Sequence, residues 1–182
     1  IDWVVFARYA AGSMLGIGAL ILVSWQPDKQ MLYLLLGLTT MLVWLPKERL
    51  DLDIQRPAHA FLAGALVQAM NTLAGDAGPL LDLFFVRTDM TRQQIVATKS
   101  VTQVLAHLVK SVFWGAPVVL AAEADVSPPV WLIAMAVPLS MLGTWMGGRV
   151  LAHMTDVNFK RWMKGLVTVI GAIYLARAAG LY

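Results

Sequence analysis

The chain consists of long, continuous apolar segments, and its charged residues are gathered into short runs between them. Only 14% of the 182 residues are charged and 59% are hydrophobic, whereas soluble domains are about 25% charged. A soluble domain of this composition would lack the polar surface needed to cover itself. Because the apolar runs are continuous rather than alternating, they indicate membrane-spanning helices. The sequence therefore predicts an all-α integral membrane protein whose partner is the lipid bilayer.

The polar breaks predict about five full transmembrane helices and one broken, re-entrant helical hairpin. The full spans are expected near residues 3–25, 31–45, 94–114, 130–150 and 162–179. The hairpin is expected from residues 58–74 and 80–86, on either side of Gly75-Asp76-Ala77-Gly78-Pro79. A single spanning helix with a kink at these glycines is the alternative for this segment.

An internal repeat divides the chain. Ser13-Met14-Leu15-Gly16 recurs as Ser140-Met141-Leu142-Gly143, which suggests that the first two and the last two spans are equivalent hairpins. We therefore expect residues 1–46 to end a first repeat, residues 47–57 to form a charged linker, and residues 58–182 to form a second repeat. Glycines spaced four apart in both copies allow close approach of membrane helices; they are Gly12, Gly16, Gly143 and Gly147.

Charge bias predicts the orientation of the spans. If the broken segment enters and leaves on one face, nearly all loop cations share a side and only Lys29 lies opposite. They are Lys47, Arg49, Arg56, Arg87, Arg92, Arg149, Lys160, Arg161 and Lys164. By the positive-inside rule that side is cytoplasmic, and the two hairpins become inverted repeats. The same rule explains the net charge of +3 without nucleic acid as a partner.

A polar stripe runs along the predicted helix at residues 94–114. Lys99, Gln103, His107 and Lys110 fall within roughly 80° of the helix circumference. A lysine inside a membrane helix costs at least ~2.5 kcal/mol, and such residues usually face a bundle interior or a watery path. Lys110 could instead reach the interface by snorkelling, and His107 could be a hydrogen-bonded packing residue. Lys99 is flanked by apolar residues, so its side chain has no easy route to the membrane interface.

The glycine-rich break supplies a second set of candidates. Pro79 suits the start of a new helix, and the N-terminus of that helix would offer free N–H groups to an anion. Asn71 and Thr72 precede the break by one turn, and Thr98 lies beside Lys99. Asp76 is a candidate for proton coupling or gating, as is His107, although a capping or ion-pair role is the simpler one for Asp76.

Patterns of catalysis are not found in the sequence. No HExxH, GxSxG, P-loop or paired-acid constellation occurs, and the three histidines are scattered. The chain also has no cysteine, which removes thiolate chemistry and cysteine metal sites. We expect neither an enzyme nor a cofactor or a metal.

These motifs resemble the sulfite exporter TauE/SafE permeases. The resemblance is carried by residues 64–79, by Thr98-Lys99 with Gln103, His107 and Lys110, and by Gly143-Thr-Trp-Met-Gly147-Gly-Arg149. It implies inverted repeats and the movement of small sulfur-containing anions such as sulfite or organosulfonates. The family's first glycine-rich break is not in this sequence, so we expect either an upstream half or a second subunit, as in a homo-oligomer, to complete the pocket.

The sequence thus predicts a secondary transporter that moves a small anion by alternating access. Its substrate would contact Asn71, Thr72, Gly75, Gly78, Pro79, Thr98, Lys99, Gln103, His107 and Lys110. The alternative is a membrane-embedded scaffold or assembly subunit without transport activity. The direction of transport, the coupling ion and the identity of the anion are left open.

Overall fold

The computed structural model describes residues 1–23, 27–46, 51–75, 77–120 and 129–181. Within these ranges the chain is helical, with no strand, which agrees with the predicted all-α class. The α-helices are α1 (Trp3–Val23), α2 (Lys29–Met41), α3 (Pro57–Ala74), α4 (Gly78–Phe85), α5 (Arg92–Leu120), α6 (Val130–His153) and α7 (Asp156–Ala178). A short 3₁₀ helix, Leu42–Trp44, extends α2.

Two of these helices are long and apolar enough to cross a membrane. In the described residues they are Trp3–Leu22 in α1 and Val130–His153 in α6. The other predicted spans form helices at the expected places, but α2 is shorter and α5 and α7 are more polar in composition. The count of five full spans and the inverted repeats therefore stay predictions.

The predicted break between residues 74 and 78 is present. α3 ends at Ala74, and the next residue, Gly75, has a φ of +88°, a left-handed conformation that favours glycine. α4 starts at Gly78 with Pro79 in its first turn, where a missing N–H leaves no hydrogen bond unmade. The alternative of one kinked helix is excluded by this geometry.

The chain folds back after the break, so that α3 and α4 form a hairpin. The backbone N–H of Ile54, just before α3, donates to the carbonyl of Phe84 at the end of α4 at 3.1 Å. The hydroxyl of Thr88 donates to Gln55 Oε1 at 2.8 Å. Both ends of the hairpin therefore lie at the same end of the molecule, as the sequence predicts for a re-entrant pair.

The linker predicted at residues 47–57 is described from Asp51 onward, and residues 47–50, with Lys47 and Arg49, lie outside the described residues. Ile54 is fully buried, so this segment is anchored in the core. Two cations at the same end of the molecule as the hairpin ends donate hydrogen bonds to backbone carbonyls. Arg87 donates to Leu45, and Lys160 donates to Thr88.

α1 packs along α3 in the same direction, through glycines on both helices. A Cβ on Gly12 or Gly16 would fall well inside contact distance of the carbonyl oxygens of Phe61 and Ala65. A Cβ on Gly64 would meet the carbonyl of Tyr9 in the same way. The close approach predicted for Gly12 and Gly16 is confirmed, and α3 is the helix that packs against them.

α2 and α7 form a second close pair, which is antiparallel. Gln30 Nε2 donates to the carbonyl of Ala178 at 2.8 Å near the start of α2, and Trp44 Nε1 donates to Thr168 Oγ1 at 2.8 Å beyond its end. Between these contacts, a Cβ on Gly171 would collide with the Thr40 side chain. The hairpin α3–α4 therefore connects the two glycine-mediated pairs: α3 belongs to the pair with α1, and α4 packs against α7 of the other pair.

α6 differs from its proposed equivalent, α1. It is exposed along nearly all of its described length, and a Cβ on Gly143 or Gly147 would meet nothing within 4 Å in the part of the chain that is described. Close packing at these two glycines therefore stays a prediction.

The α1–α3 crossing predicts opposite effects for two glycine substitutions in α1. Gly12→Ala inserts a methyl group against the Phe61 carbonyl and should lower the free energy of unfolding by about 1–3 kcal/mol. A Cβ at Gly18 would meet no atom within 4 Å. Gly18→Ala should therefore be neutral or stabilising, because alanine is more favourable than glycine in a helix by about 1 kcal/mol. Thermal unfolding of both variants in one detergent measures the difference, and equal midpoints would contradict the proposed close contact.

Candidate functional site

An open cavity of about 770 Å³ lies between α5 and α7, with Asp82 of α4 and the end of α6 at its border. Most of its wall is apolar, contributed by Ile95, Val96, Val150, Met154, Phe159, Trp162, Met163 and Leu166. Four polar side chains interrupt this wall: Asp82, Lys99, Ser100 and Gln103. A concave apolar site with a few converging polar groups, in the range of about 300–1,000 Å³, is typical of a small-molecule site.

Lys99 and Asp82 form an ion pair on the cavity wall. Lys99 Nζ contacts Asp82 Oδ1, and the two side chains are 29% and 15% exposed. Lys99 belongs to α5, whereas Asp82 is in the middle of α4, so the turn after Gly75 is what brings the carboxylate to the lysine. The expectation that Lys99 faces the interior agrees with this position, and its partner is an acid that the sequence analysis did not single out.

Lys110, eleven residues further along α5, binds the backbone at the break. Its ammonium donates to the carbonyl of Gly75 at 2.7 Å. One turn later, Trp114 Nε1 donates to the carbonyl of Thr72 at 3.1 Å. Carbonyls at a helix C-terminus have no intrahelical partner, and a cation there also complements the helix dipole. In this structure Lys110 therefore caps α3 and does not line the cavity.

The last two turns of α3 carry a buried polar cluster. Gln68 Nε2 donates to Thr72 Oγ1 at 3.2 Å, and Thr72 donates in turn to the Gln68 carbonyl at 2.9 Å. Asn71 is 3% exposed, and its Nδ2 has no hydrogen-bond partner among the described residues, like Gln68 Oε1. An unsatisfied buried amide is costly, so Asn71 is the residue at the break that best fits a further hydrogen-bonding group.

The remaining predicted site residues do not join the cavity. Thr98 is fully buried, and its hydroxyl accepts from the backbone N–H of Asp2 at 2.9 Å. His107 is exposed on α5. Gly78 and Pro79 form the first turn of α4 at the break, beside the α3 cluster rather than the cavity. Asp76 lies outside the described residues.

The structure thus divides the predicted pocket into two places. Lys99 and Gln103 line the cavity, whereas a second group surrounds the break: Asn71, Thr72, Gly75, Gly78, Pro79 and Lys110. Asp82 was missed because it stands inside a short apolar segment, Gly-Pro-Leu-Leu-Asp-Leu-Phe-Phe. A carboxylate there is itself a signal, since an ionisable residue in such a segment usually needs a partner.

Arg92 joins the start of α5 to the end of α6 and the start of α7. Its backbone N–H and its guanidinium donate to Asp156 Oδ1 at 2.9 and 3.0 Å, and its Nε donates to the carbonyl of Leu151 at 2.9 Å. The backbone hydrogen bond first, and then the guanidinium, hold the pKa of the Asp156 carboxyl below its usual range. The contact therefore stabilises the fold above the ordinary pKa of an aspartate, and this contribution is lost as the pH falls through the lowered value.

Comparison with known proteins identifies the family. The family model described as "Sulfite exporter TauE/SafE" matches residues 1–175, nearly the whole chain. The same chain matches no curated protein and no solved structure. The resemblance found in the sequence is thereby confirmed, and the family is one of membrane transporters. The chain belongs to the sulfite exporter TauE/SafE family, whose members are integral membrane proteins that transport sulfur-containing anions.

Proposed function

We propose that the chain moves a small sulfur-containing anion across the bacterial inner membrane, and that the anion binds in the cavity beside Lys99. The observation that carries the proposal is the position of the lysine. Its ammonium lies on the wall of a largely apolar cavity in a chain of a sulfur-anion transporter family. A cation held in such a wall attracts an anion more strongly than one in water, because the surroundings screen it less.

The polar groups near Lys99 suit a sulfonate or sulfite head group. Gln103 lies one turn after Lys99, and Ser100 is its neighbour; both line the cavity. An amide and a hydroxyl can donate hydrogen bonds to sulfur-bound oxygens, while Trp162 and Phe159 can pack against an organic substituent. The chemistry thus fits small anions with or without a short apolar group.

The group at the break has a supporting role in this proposal. Lys110 and Trp114 hold the carbonyls of the broken helix, and the buried Asn71 amide offers a hydrogen bond near the start of α4. Alternating access is proposed from the family and from the broken hairpin, since discontinuous helices accompany rocking repeats in secondary transporters.

Removal of the cavity cation should abolish transport. Lys99→Met takes away the ammonium that attracts the anion, so anion flux into proteoliposomes should fall by about tenfold or more. Lys29→Met removes an exposed lysine at the start of α2 and should leave flux unchanged. Before the flux assay, a thermal-shift panel of sulfite, sulfoacetate, taurine, sulfate and chloride selects the anion.

Normal flux in folded Lys99→Met protein would contradict the proposed binding site. Absence of a shift across the panel and of any flux in the wild type would favour a scaffold subunit. Circular dichroism and gel filtration of the variants establish that they are folded.

Water should reach the cavity but not the neighbouring lipid face of α5. The chain has no cysteine, so single cysteines can be introduced at adjacent positions. Gln103→Cys places a thiol in the cavity, whereas Val104, which is 59% exposed, lies outside the cavity. A membrane-impermeant thiosulfonate reagent should modify Cys at position 103 in proteoliposomes and not at position 104, and the selected anion should slow the reaction.

A permeant maleimide that labels both positions serves as the control for an intact thiol. Equal reaction of the two positions with the impermeant reagent, or none at position 103, would show that the cavity is not an aqueous substrate site.

A further inference from the structure

We infer that anion binding at Lys99 is coupled to protonation of Asp82, so that a monoanion and a proton move through this transporter together. The inference rests on the proposed function of the cavity and adds its coupling ion. The sequence analysis considered Asp76 and His107 for such a role; Asp76 lies outside the described residues and His107 is exposed outside the cavity. Asp82 is the acid that contacts the substrate-binding lysine.

Because Lys99 is paired with Asp82, an anion must compete with this carboxylate for the ammonium. Lys99 Nζ contacts Asp82 Oδ1, and both side chains line the same cavity. An anion that enters beside Lys99 must share this ammonium with the carboxylate or displace it. Two negative charges next to one cation in an apolar cavity repel each other strongly, so the carboxylate and the anion cannot both be accommodated as charges at little cost.

Cations that could offset a second negative charge are engaged elsewhere. The described cavity wall carries no charged residue besides Lys99 and Asp82. On α7, Lys160 donates to the Thr88 carbonyl, and Lys164 lies 3.9 Å from the centre of the Trp44 ring. Four further titratable groups near α4 have partners: His59 accepts from the Asp53 N–H, Arg87 donates to Leu45, Arg92 binds Asp156, and Lys110 binds Gly75. Arg161 on α7 is exposed and does not line the cavity.

Protonation of Asp82 resolves the competition. A hydronium ion from the solvent loses one O–H bond and becomes water, and its proton forms one O–H bond on the Asp82 carboxylate. The Lys99 ammonium keeps its charge and transfers its hydrogen bond to an oxygen of the anion. The occupied site then holds one positive and one negative charge, as the empty site does. One proton is therefore taken up for each monoanion bound, and the pair crosses the membrane without net charge.

The first test is the pH dependence of binding, measured by calorimetry in detergent with methanesulfonate, which stays a monoanion over the range used. In the wild type the affinity should rise as the pH falls, by about tenfold per pH unit at most, because one proton is taken up with each monoanion. Asp82→Asn should bind with an affinity that does not depend on pH. Asp89→Asn removes an exposed carboxylate at the α4–α5 connection and should keep the wild-type dependence.

The second test is proton movement, compared between the wild type and Asp82→Asn. In proteoliposomes that contain a trapped pH-sensitive dye, a gradient of methanesulfonate should drive protons in the same direction as the anion, and Asp82→Asn should lose this signal.

The outcomes separate the two proposals. Binding of methanesulfonate with a constant affinity, or flux without proton movement, would overturn the coupling and leave the anion site intact. Absence of binding at every pH in the wild type and in Asp82→Asn would overturn the proposed function itself.

Discussion

The structure depends on the break after α3 at Gly75 and on the donors that bind the free carbonyl groups there. In a bilayer the backbone groups exposed by such a break find no water, so the protein must supply partners. Lys110 and Trp114 supply them to Gly75 and Thr72. These two contacts hold α5 along the hairpin, and the eleven residues from Lys99 to Lys110 then span roughly 16 Å of helix. Lys99 is thereby placed beside the middle of α4, where Asp82 meets it.

The sequence predicted the local features of this arrangement because glycine and proline act locally. The positive φ at Gly75 and the helix start at Gly78 follow from residue types that allow them, whatever the rest of the fold is. The stripe on α5 was also predicted, since helical periodicity alone defines it. The sequence could not predict that the stripe residues serve two different places. Because α5 extends beyond the cavity, Lys99 and Lys110 have different neighbours. The partners of the two lysines, Asp82 and Gly75, lie outside α5, and no spacing along that helix reveals them.

Glycine spacing likewise predicts that a helix can pack closely, but not which helix it packs against. Gly12 and Gly16 were expected to admit a close helix, and they do, but the identity of α3 as that helix depends on Gly64, which lies in the middle of a different apolar segment. The identical tetrapeptide in α6 has no such neighbour among the described residues. Four shared residues therefore define a surface that can pack closely, whereas the partner is defined by what the tertiary fold places opposite it.

The charge of the cavity also bears on which anions it can accept under the proposed coupling. Lys99 and Asp82 together make the empty site neutral, and a monoanion with a protonated Asp82 preserves that neutrality. A dianion such as sulfate would leave one uncompensated negative charge even after protonation, in an apolar cavity where an unpaired charge is expensive. Hydrogensulfite and sulfonates satisfy the condition, whereas the doubly charged form of sulfite does not. Selection between sulfur anions in this site can therefore arise from charge alone, before any contact with Gln103 or Trp162 distinguishes their shapes.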